Sequence, residues 1–219
     1  NKLSIFNNTG QLIQVVGAAL DNGFGNINFP HLLTKGLTSG VFYMTDAFNN
    51  RVLKLTRIPD TSAPTSTFSA SPSTTWSNSN VTSTITSSDN AGGSGVKEIH
   101  YSINMGTEQV ITGSSATFTL SENGTHSIAY WSVDVAGNTE TTNYATVRID
   151  KTRPTVNAYV IGSLVTVVAQ DTVSGVASTK VSIDGAAAVD YTGSFTVAPG
   201  AHTVTYSATD QAGNESTRD

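Results

Sequence analysis

The sequence predicts an all-β chain: two tandem β-sandwich modules preceded by a separate, non-repeating β segment. Three observations carry this. No stretch of 11 or more residues places apolar side chains at i, i+3, i+4 and i+7, the spacing of an amphipathic helix. Short alternating runs separated by Gly, Asn, Asp and Ser recur along the whole chain, the pattern of strands and turns. From about residue 60 onward the chain repeats itself once.

The repeat is ordered. Asp60-Thr-Ser-Ala-Pro64-Thr65 returns as Asp150-Lys-Thr-Arg-Pro154-Thr155, an offset of 90 residues. Asp89 with Ser94-Gly95-Val96 returns as Asp171 with Ser174-Gly175-Val176, and Tyr101-Ser-Ile-Asn104 as Val181-Ser-Ile-Asp184. Phe118-Thr-Leu returns as Phe195-Thr-Val, and Gly124-Thr-His126-Ser-Ile-Ala-Tyr130 as Gly200-Ala-His202-Thr-Val-Thr-Tyr206. Asp134-Val-Ala-Gly-Asn138 returns as Asp210-Gln-Ala-Gly-Asn214, by which point the offset has shrunk to 76 through changes in loop length. Each copy then holds about seven short strands, close to an immunoglobulin-type sandwich. The boundaries read as 1–58 for the leading segment, 59–64 for a linker, 65–150 for the first module and 151–219 for the second.

Comparing the copies assigns faces, because side chains alternate along a strand. His126, Ile128, Tyr130 and Ser132 match His202, Val204, Tyr206 and Ala208, so this face points at the core. Ser127, Ala129, Trp131 and Val133 match Thr203, Thr205, Ser207 and Thr209, so this face points out. Ile99, Tyr101 and Ile103 alternate likewise, as do Val165, Val167 and Ala169, and Phe118 and Phe195 are core anchors by virtue of ring area. In Asp-x-Ala-Gly-Asn, Gly137 and Gly213 permit positive φ, and Asp134 and Asp210 can accept turn amides, which makes a hairpin between the last two strands.

These motifs, taken together and in order, resemble a family of bacterial immunoglobulin-like repeats with a Ser-Gly-Val start, a Gly-Thr-His-x-Val/Ile-x-Tyr strand and the Asp-x-Ala-Gly-Asn turn. The resemblance covers the chain from Pro64 onward. It implies sandwich modules that space domains or adhere, on secreted and cell-surface proteins, with no catalytic residues. Residues 1–58 lie outside the repeat. Phe29-Pro30, Gly40-Val-Phe-Tyr-Met-Thr45-Asp46 and Asn49-Asn50-Arg51-Val52 resemble one NHL-type β-propeller blade, in which Asp46 and Arg51 hold the sheet together. Thr34–Ser39 reads as a loop insertion in that blade. Lys2–Phe6 and Gly10–Val16 read as the closing strand of one blade and the opening strand of the next. A propeller needs about four blades or more, so the segment reads as an incomplete blade. The second module, measured against the first, reads as about six residues short of a full last strand, which makes the chain a fragment.

Composition narrows the function. With 219 residues, a net charge of −5, 37% hydrophobic and only 12% charged residues, Ser, Thr, Asn and Gly must wet the surface. The acidic balance gives no phosphate-binding footprint, which argues against nucleic acid. No apolar run reaches the roughly 20 residues of a spanning helix. The chain has no Cys, so disulfides and thiolate-bound metals are excluded. Asn1 is not followed by a basic-then-apolar leader, so a signal peptide is not in this fragment.

The candidate chemistry is sparse. Asp89 with Asp134, and Asp171 with Asp210, sit in loops that can meet at one end of each sandwich, and linker Asp60 or Asp150 can add a carboxylate. Calcium takes six to eight oxygens, so two or three Asp need further donors. Asp is equally a turn cap, and turn capping is the simpler expectation. His126 and His202 recur at the start of a core-facing strand, which fits packed structural histidines. There is no Gly-x-Ser-x-Gly elbow, and Gly23-Phe-Gly25 lacks the rest of a phosphate loop. Trp131 departs from the repeat on the outer face, where a sugar contact or packing against another segment would place it, and Trp76 covers a core edge. Asn7, Asn80, Asn123 and Asn214 begin Asn-x-Ser/Thr sequons. The expectation is therefore a non-catalytic structural or adhesive part of a secreted or cell-surface protein, with neighbouring domains of the same polypeptide as partners. The alternative is an accessory carbohydrate- or matrix-binding module of a secreted enzyme whose catalytic domain lies elsewhere. The only cofactor under consideration is calcium.

Overall fold

The structure is a computed structural model that describes residues 3–6, 12–16, 30–35, 41–46, 51–56, 59–73 and 75–218. All of its regular elements are strands. β-branched residues and Ser/Thr dominate them, and Gly, Asn and Asp mark the turns, as extended backbone requires.

The first module consists of β6 (Thr65–Ser71), β7 (Val81–Ser88), β8 (Val96–Ile103), β9 (Gln109–Thr112), β10 (Ser115–Leu120), β11 (Gly124–Asp134) and β12 (Asn143–Ile149). They form a three-stranded sheet in the order β10-β7-β6 and a four-stranded sheet in the order β12-β11-β8-β9, all pairs antiparallel. The second module repeats this with β13 (Thr155–Ile161), β14 (Leu164–Gln170), β15 (Val176–Ile183), β16 (Val189–Asp190), β17 (Phe195–Thr196), β18 (Val204–Asp210) and β19 (Glu215–Arg218). Its sheets run β13-β14-β17 and β16-β15-β18-β19. Each module is a seven-stranded immunoglobulin-like sandwich.

The first core is Val81, Ile85, Ile99, Tyr101, Ala116, Leu120, Ile128, Tyr130, Val147 and Ile149, with Ile85, Ile99, Ile128 and Ile149 wholly buried. The core face of β11 is buried from His126 through Asp134 at every second residue, and the opposite face is half-buried or exposed. Phe118 and Phe195 are only partly buried. Phe118 lies at the core margin, stacked on Tyr101 with centroids 4.5 Å apart, because its strand is an edge strand with no neighbour beyond it. The second core is smaller: Val156, Val167, Val181 and Ala208, lined by Ala158, Ala169, Tyr191, Phe195 and Tyr206.

This difference has a visible cause. β12 pairs with β11 from Gly124 to Tyr130, whereas β19 pairs with β18 only from Tyr206 to Thr209. Val204 and Tyr206 are half-buried where Ile128 and Tyr130 are buried, and His202 is exposed where His126 is buried. The expectation that both histidines are packed therefore holds for His126 and fails for His202, which lies beyond the covered part of its strand.

The first module also holds a polar cluster between its sheets. Ser87 Oγ donates to Ser132 Oγ at 2.8 Å, Ser66 Oγ lies 2.9 Å from the same oxygen, and Glu140 accepts from the Ser66 and Ser132 hydroxyls and amides and from Asn143 Nδ2. Burial pushes the Glu140 carboxyl up, but the donors from Ser66, Ser132 and Asn143 outweigh it and hold the group below its ordinary value.

In the leading segment, β1 (Leu3–Phe6) and β2 (Leu12–Val16) pair antiparallel, and β3 (Pro30–Lys35), β4 (Val41–Asp46) and β5 (Arg51–Thr56) form a second antiparallel sheet in chain order. The pairing of β1 with β2 corrects their assignment to two different blades: strands joined by so short a connection pair as a hairpin. Thr34 and Lys35 belong to β3 rather than to a loop insertion. Asp46 and Arg51 stand opposite each other in register, and Val41, Met44 and Leu53 are buried. Asn7, Gly23, Gly25, Phe29, Gly40, Asn49 and Asn50 lie outside the described residues.

Ile128→Ala leaves a cavity at the centre of the first core and is expected to cost about 2–5 kcal/mol. Urea denaturation of the intact chain should show the loss in the transition of the first module and leave that of the second in place.

Candidate functional site

The loops at one end of each sandwich bring three aspartates together. In the first module these are Asp60, Asp89 and Asp134; in the second, Asp150, Asp171 and Asp210. Within each triad one carboxylate oxygen from each residue lies within 4.8 Å of the others. The residues come from equivalent places: the linker before the first strand, the loop after the second, and the end of the sixth. Asp134 and Asp150 are 0% exposed and Asp210 2%, while Asp60, Asp89 and Asp171 are half-buried.

Local backbone explains the arrangement. In the second module, Asp150 Oδ2 accepts from the Ser174 amide at 3.0 Å, and Asp171 Oδ1 accepts from the amides of Val173, Ser174 and Gly175. Asp210 Oδ1 accepts from the amides of Ala212 and Asn214, and Asp210 Oδ2 from Asn214 Nδ2 at 2.7 Å. The first module copies this: Asp60 Oδ2 accepts from the Ser94 amide at 2.7 Å, Asp89 Oδ2 from Gly95, and Asp134 from the Asn138 amide and Nδ2. The loop wraps Asp89 so closely that a Cβ on Gly93 would sit 2.5 Å from Asp89 Oδ2. Gly137 and Gly213 close the Asp-x-Ala-Gly-Asn turns at φ of 94° and 86°. The six carboxylates thus do cap turns, as the simpler sequence reading expects, and that capping is what gathers them.

Charge is the unusual property of these clusters. Two ionised carboxylates at the 4.8 Å limit of these clusters repel by about 3.5 kcal/mol at an effective dielectric of about 20. Among the described residues no Lys, Arg or His nitrogen pairs with any of the six. The backbone amides are the opposing dipoles. The Ser94 amide, above all, holds the Asp60 carboxyl below its ordinary value; burial opposes it and the Ser62 amide and Ser94 hydroxyl assist.

The third participant in each copy is the asparagine that ends the turn. Asn138 Nδ2 donates to the Asp60 carbonyl at 3.1 Å, and Asn214 Nδ2 to the Asp150 carbonyl at 2.8 Å. Asn214 is therefore engaged, as is Asn123, whose Nδ2 donates to Thr152 Oγ1 and whose Oδ1 accepts from the Lys151 amide.

The histidines mark a second repeated device. Asn104 and Asp184 follow the third strand of each module in the left-handed region, φ 53° and 52°, and their Oδ1 atoms accept from the amides of Ser127 and Thr203. The histidine ring closes the corner. His126 Nε2 donates to the Glu122 carbonyl while Nδ1 accepts from Asn104 Nδ2; His202 Nδ1 donates to Asp184 Oδ2 at 2.7 Å. Sequence reading found the histidines but not their partners, although Asn104 and Asp184 occupy equivalent places in the repeat.

Trp131 lies on the outer face of β11, half-buried, stacked on His100 of β8 with centroids 5.2 Å apart and planes 13° from parallel. His100 Nδ1 pairs with Glu108 at 2.6 Å, and Nε2 lies 3.4 Å from Glu98. Trp76 is half-buried next to the buried Ser77.

No protein-family model matches the chain, and no curated protein matches it. Among solved structures, the fibronectin(III)-like modules of CbhA from Clostridium thermocellum are similar to it at 14% identity and a TM-score of 0.36, over 70% of this chain and 90% of that one.

The Asp184 carboxylate, chiefly through its hydrogen bond, raises the His202 pKa above the ordinary 6.5, and His202 holds Asp184 below 3.8. A histidine raised on folding stabilises below its unfolded value and loses that contribution as pH rises through the folded one. NMR titration should place the His202 midpoint above 6.5, and Asp184→Asn should bring it back down.

Proposed function

We propose that this chain is a non-catalytic structural segment of a secreted or cell-surface modular protein, in which the sandwiches act as a stiff spacer that holds and presents neighbouring domains of the same polypeptide. The observation that carries this reading is the way Asp150 is built into both modules. On the first-module side, its amide donates to the Ser77 carbonyl at 2.8 Å, and Ser77 in turn donates to the Arg148 carbonyl, so Ser77 bridges in parallel to the end of β12. Lys151 is held by Asn123 through its amide and by Asn80 through Nζ. On the second-module side, the Asp150 carboxylate receives the Thr152 and Ser174 amides, and its carbonyl receives Asn214. Pro154, buried, then fixes the backbone entering β13.

A linker held at this density has few free dihedrals, unlike a Gly/Ser tether. Asn78 of the first module also lies against the turn of the second: a Cβ on Gly213 would be 3.9 Å from Asn78 Nδ2, and Asn78, Arg153, Asn214 and Glu215 line one polar cleft. Asp60 repeats the second-module half of this device, which supports reading 59–64 as the joint that couples whatever precedes the first sandwich. The antiparallel β3-β4-β5 order supports reading residues 1–58 as a propeller-blade remnant.

A second reading, an accessory module for carbohydrate or matrix, takes its support from Trp131, whose ring is held flat against His100 within an acidic rim. On that reading the chain is retarded in polysaccharide-containing native gels and Trp131→Ala abolishes the retardation; on the spacer reading the two proteins migrate alike.

Spin labels on the exposed faces of β7 and β15 should give one narrow distance distribution in the intact chain. Asp150→Ala should broaden it while each sandwich keeps its strand content. A broad distribution in the unmutated chain would count against a stiff joint.

A further inference from the structure

We infer that the second aspartate triad, Asp150–Asp171–Asp210, is a calcium site at the joint between the modules. Carboxylates gathered in a loop cap turns in many proteins, so the inference does not rest on the cluster alone.

The independent observation is Ser174. It is only 7% exposed, and its hydroxyl is buried with no hydrogen-bond partner among the described residues. It stands between two members of the triad, since its amide donates to Asp150 Oδ2 at 3.0 Å and to Asp171 Oδ1 at 2.9 Å. In the first module the equivalent hydroxyl, on Ser94, accepts from the Ala136 amide and is turned toward the Asp60 carboxylate. Ser174 has lost that amide partner, because the equivalent Ala212 amide donates to Asp210 Oδ1. A buried hydroxyl oxygen without a protein partner, in a residue whose amide joins two of the three carboxylates, is a further oxygen donor at the cluster.

The donor set selects the ion. Every donor is oxygen, with no imidazole or thiolate in either triad, which disfavours zinc. Three carboxylates and a hydroxyl leave two to four positions for water or main-chain carbonyls. Their irregular placement, set by loop amides, suits the flexible six-to-eight coordination of calcium better than the strict octahedron of magnesium. Amide bonds to the carboxylates do not block ligation, since an ionised carboxylate offers about four lone-pair sites. Asp150 belongs to the linker and Asp171 and Asp210 to the second module, so an ion bound here ties the linker to the loops that receive it. This consequence at the joint rests on the spacer reading; binding itself does not.

Isothermal titration of the chelator-treated intact chain with calcium chloride tests it. The expected result is binding at this triad with a dissociation constant of about 0.1–1 mM, the range of extracellular modules, with a rise of several degrees in melting temperature at saturation. Magnesium at equal concentration should give a smaller rise. Asp171→Asn should remove this binding. Ser174→Ala, which retains the amide and disturbs folding least, should weaken it several-fold. No heat and no thermal shift with calcium, an equal response to magnesium, or unaltered binding in both variants would overturn the inference. The spin-label distances above read joint stiffness separately, so a stiff joint without calcium binding would leave the spacer reading standing.

Discussion

The arrangement of this chain depends on one linker aspartate ahead of each sandwich. Asp150 offers three kinds of group at once: an amide to the first module, a carboxylate to the loops of the second, and a carbonyl to the asparagine that ends the second module's last turn. Each is an obligatory partner, because a buried polar group left without one costs about 1–3 kcal/mol. The linker is therefore hydrogen-bonded into both sandwiches. Asp60 repeats the carboxylate and carbonyl contacts ahead of the first module.

The gathering of acidic groups follows from that constraint. The linker Asp must reach the loop after the second strand, where Asp89 or Asp171 already holds the turn, and the end of the sixth strand, where Asp134 or Asp210 anchors its own turn. Three turns converge at one end of the sandwich, and each brings a carboxylate. The convergence creates an electrostatic cost that amide dipoles offset in part.

Much of this was legible in the sequence because the chain contains its own control. Positions alternating apolar in both copies of the His-x-Ile/Val-x-Tyr strand marked its core face, and the structure buries His126, Ile128, Tyr130 and Ser132. The six aspartates stood out because they recur in order. Contacts that depend on cross-strand register were not legible. The stack of Trp131 on His100 needs the alignment of β11 with β8, in which those two residues are partners. The Ser66–Ser87–Ser132–Glu140 cluster was hidden because Ser reads as surface. Yet Val156, Ala169, Ala208 and Ser216 occupy the equivalent places in the second module, and four changes made together are the trace of a contact. The shared motif also misled about one histidine: His202 lies outside β18 and is exposed where His126 is buried.

The central claim is that the linker aspartates belong to the folded modules and are not tethers between them. Native-state hydrogen exchange at the Ser94 and Ser174 amides, the donors to Asp60 and Asp150, tests this most directly. If the claim holds, both amides exchange only through the large openings that release the core strands of their own modules. If instead they exchange as fast as exposed loop amides while β8 and β15 remain protected, the linker is loosely attached and the account is wrong.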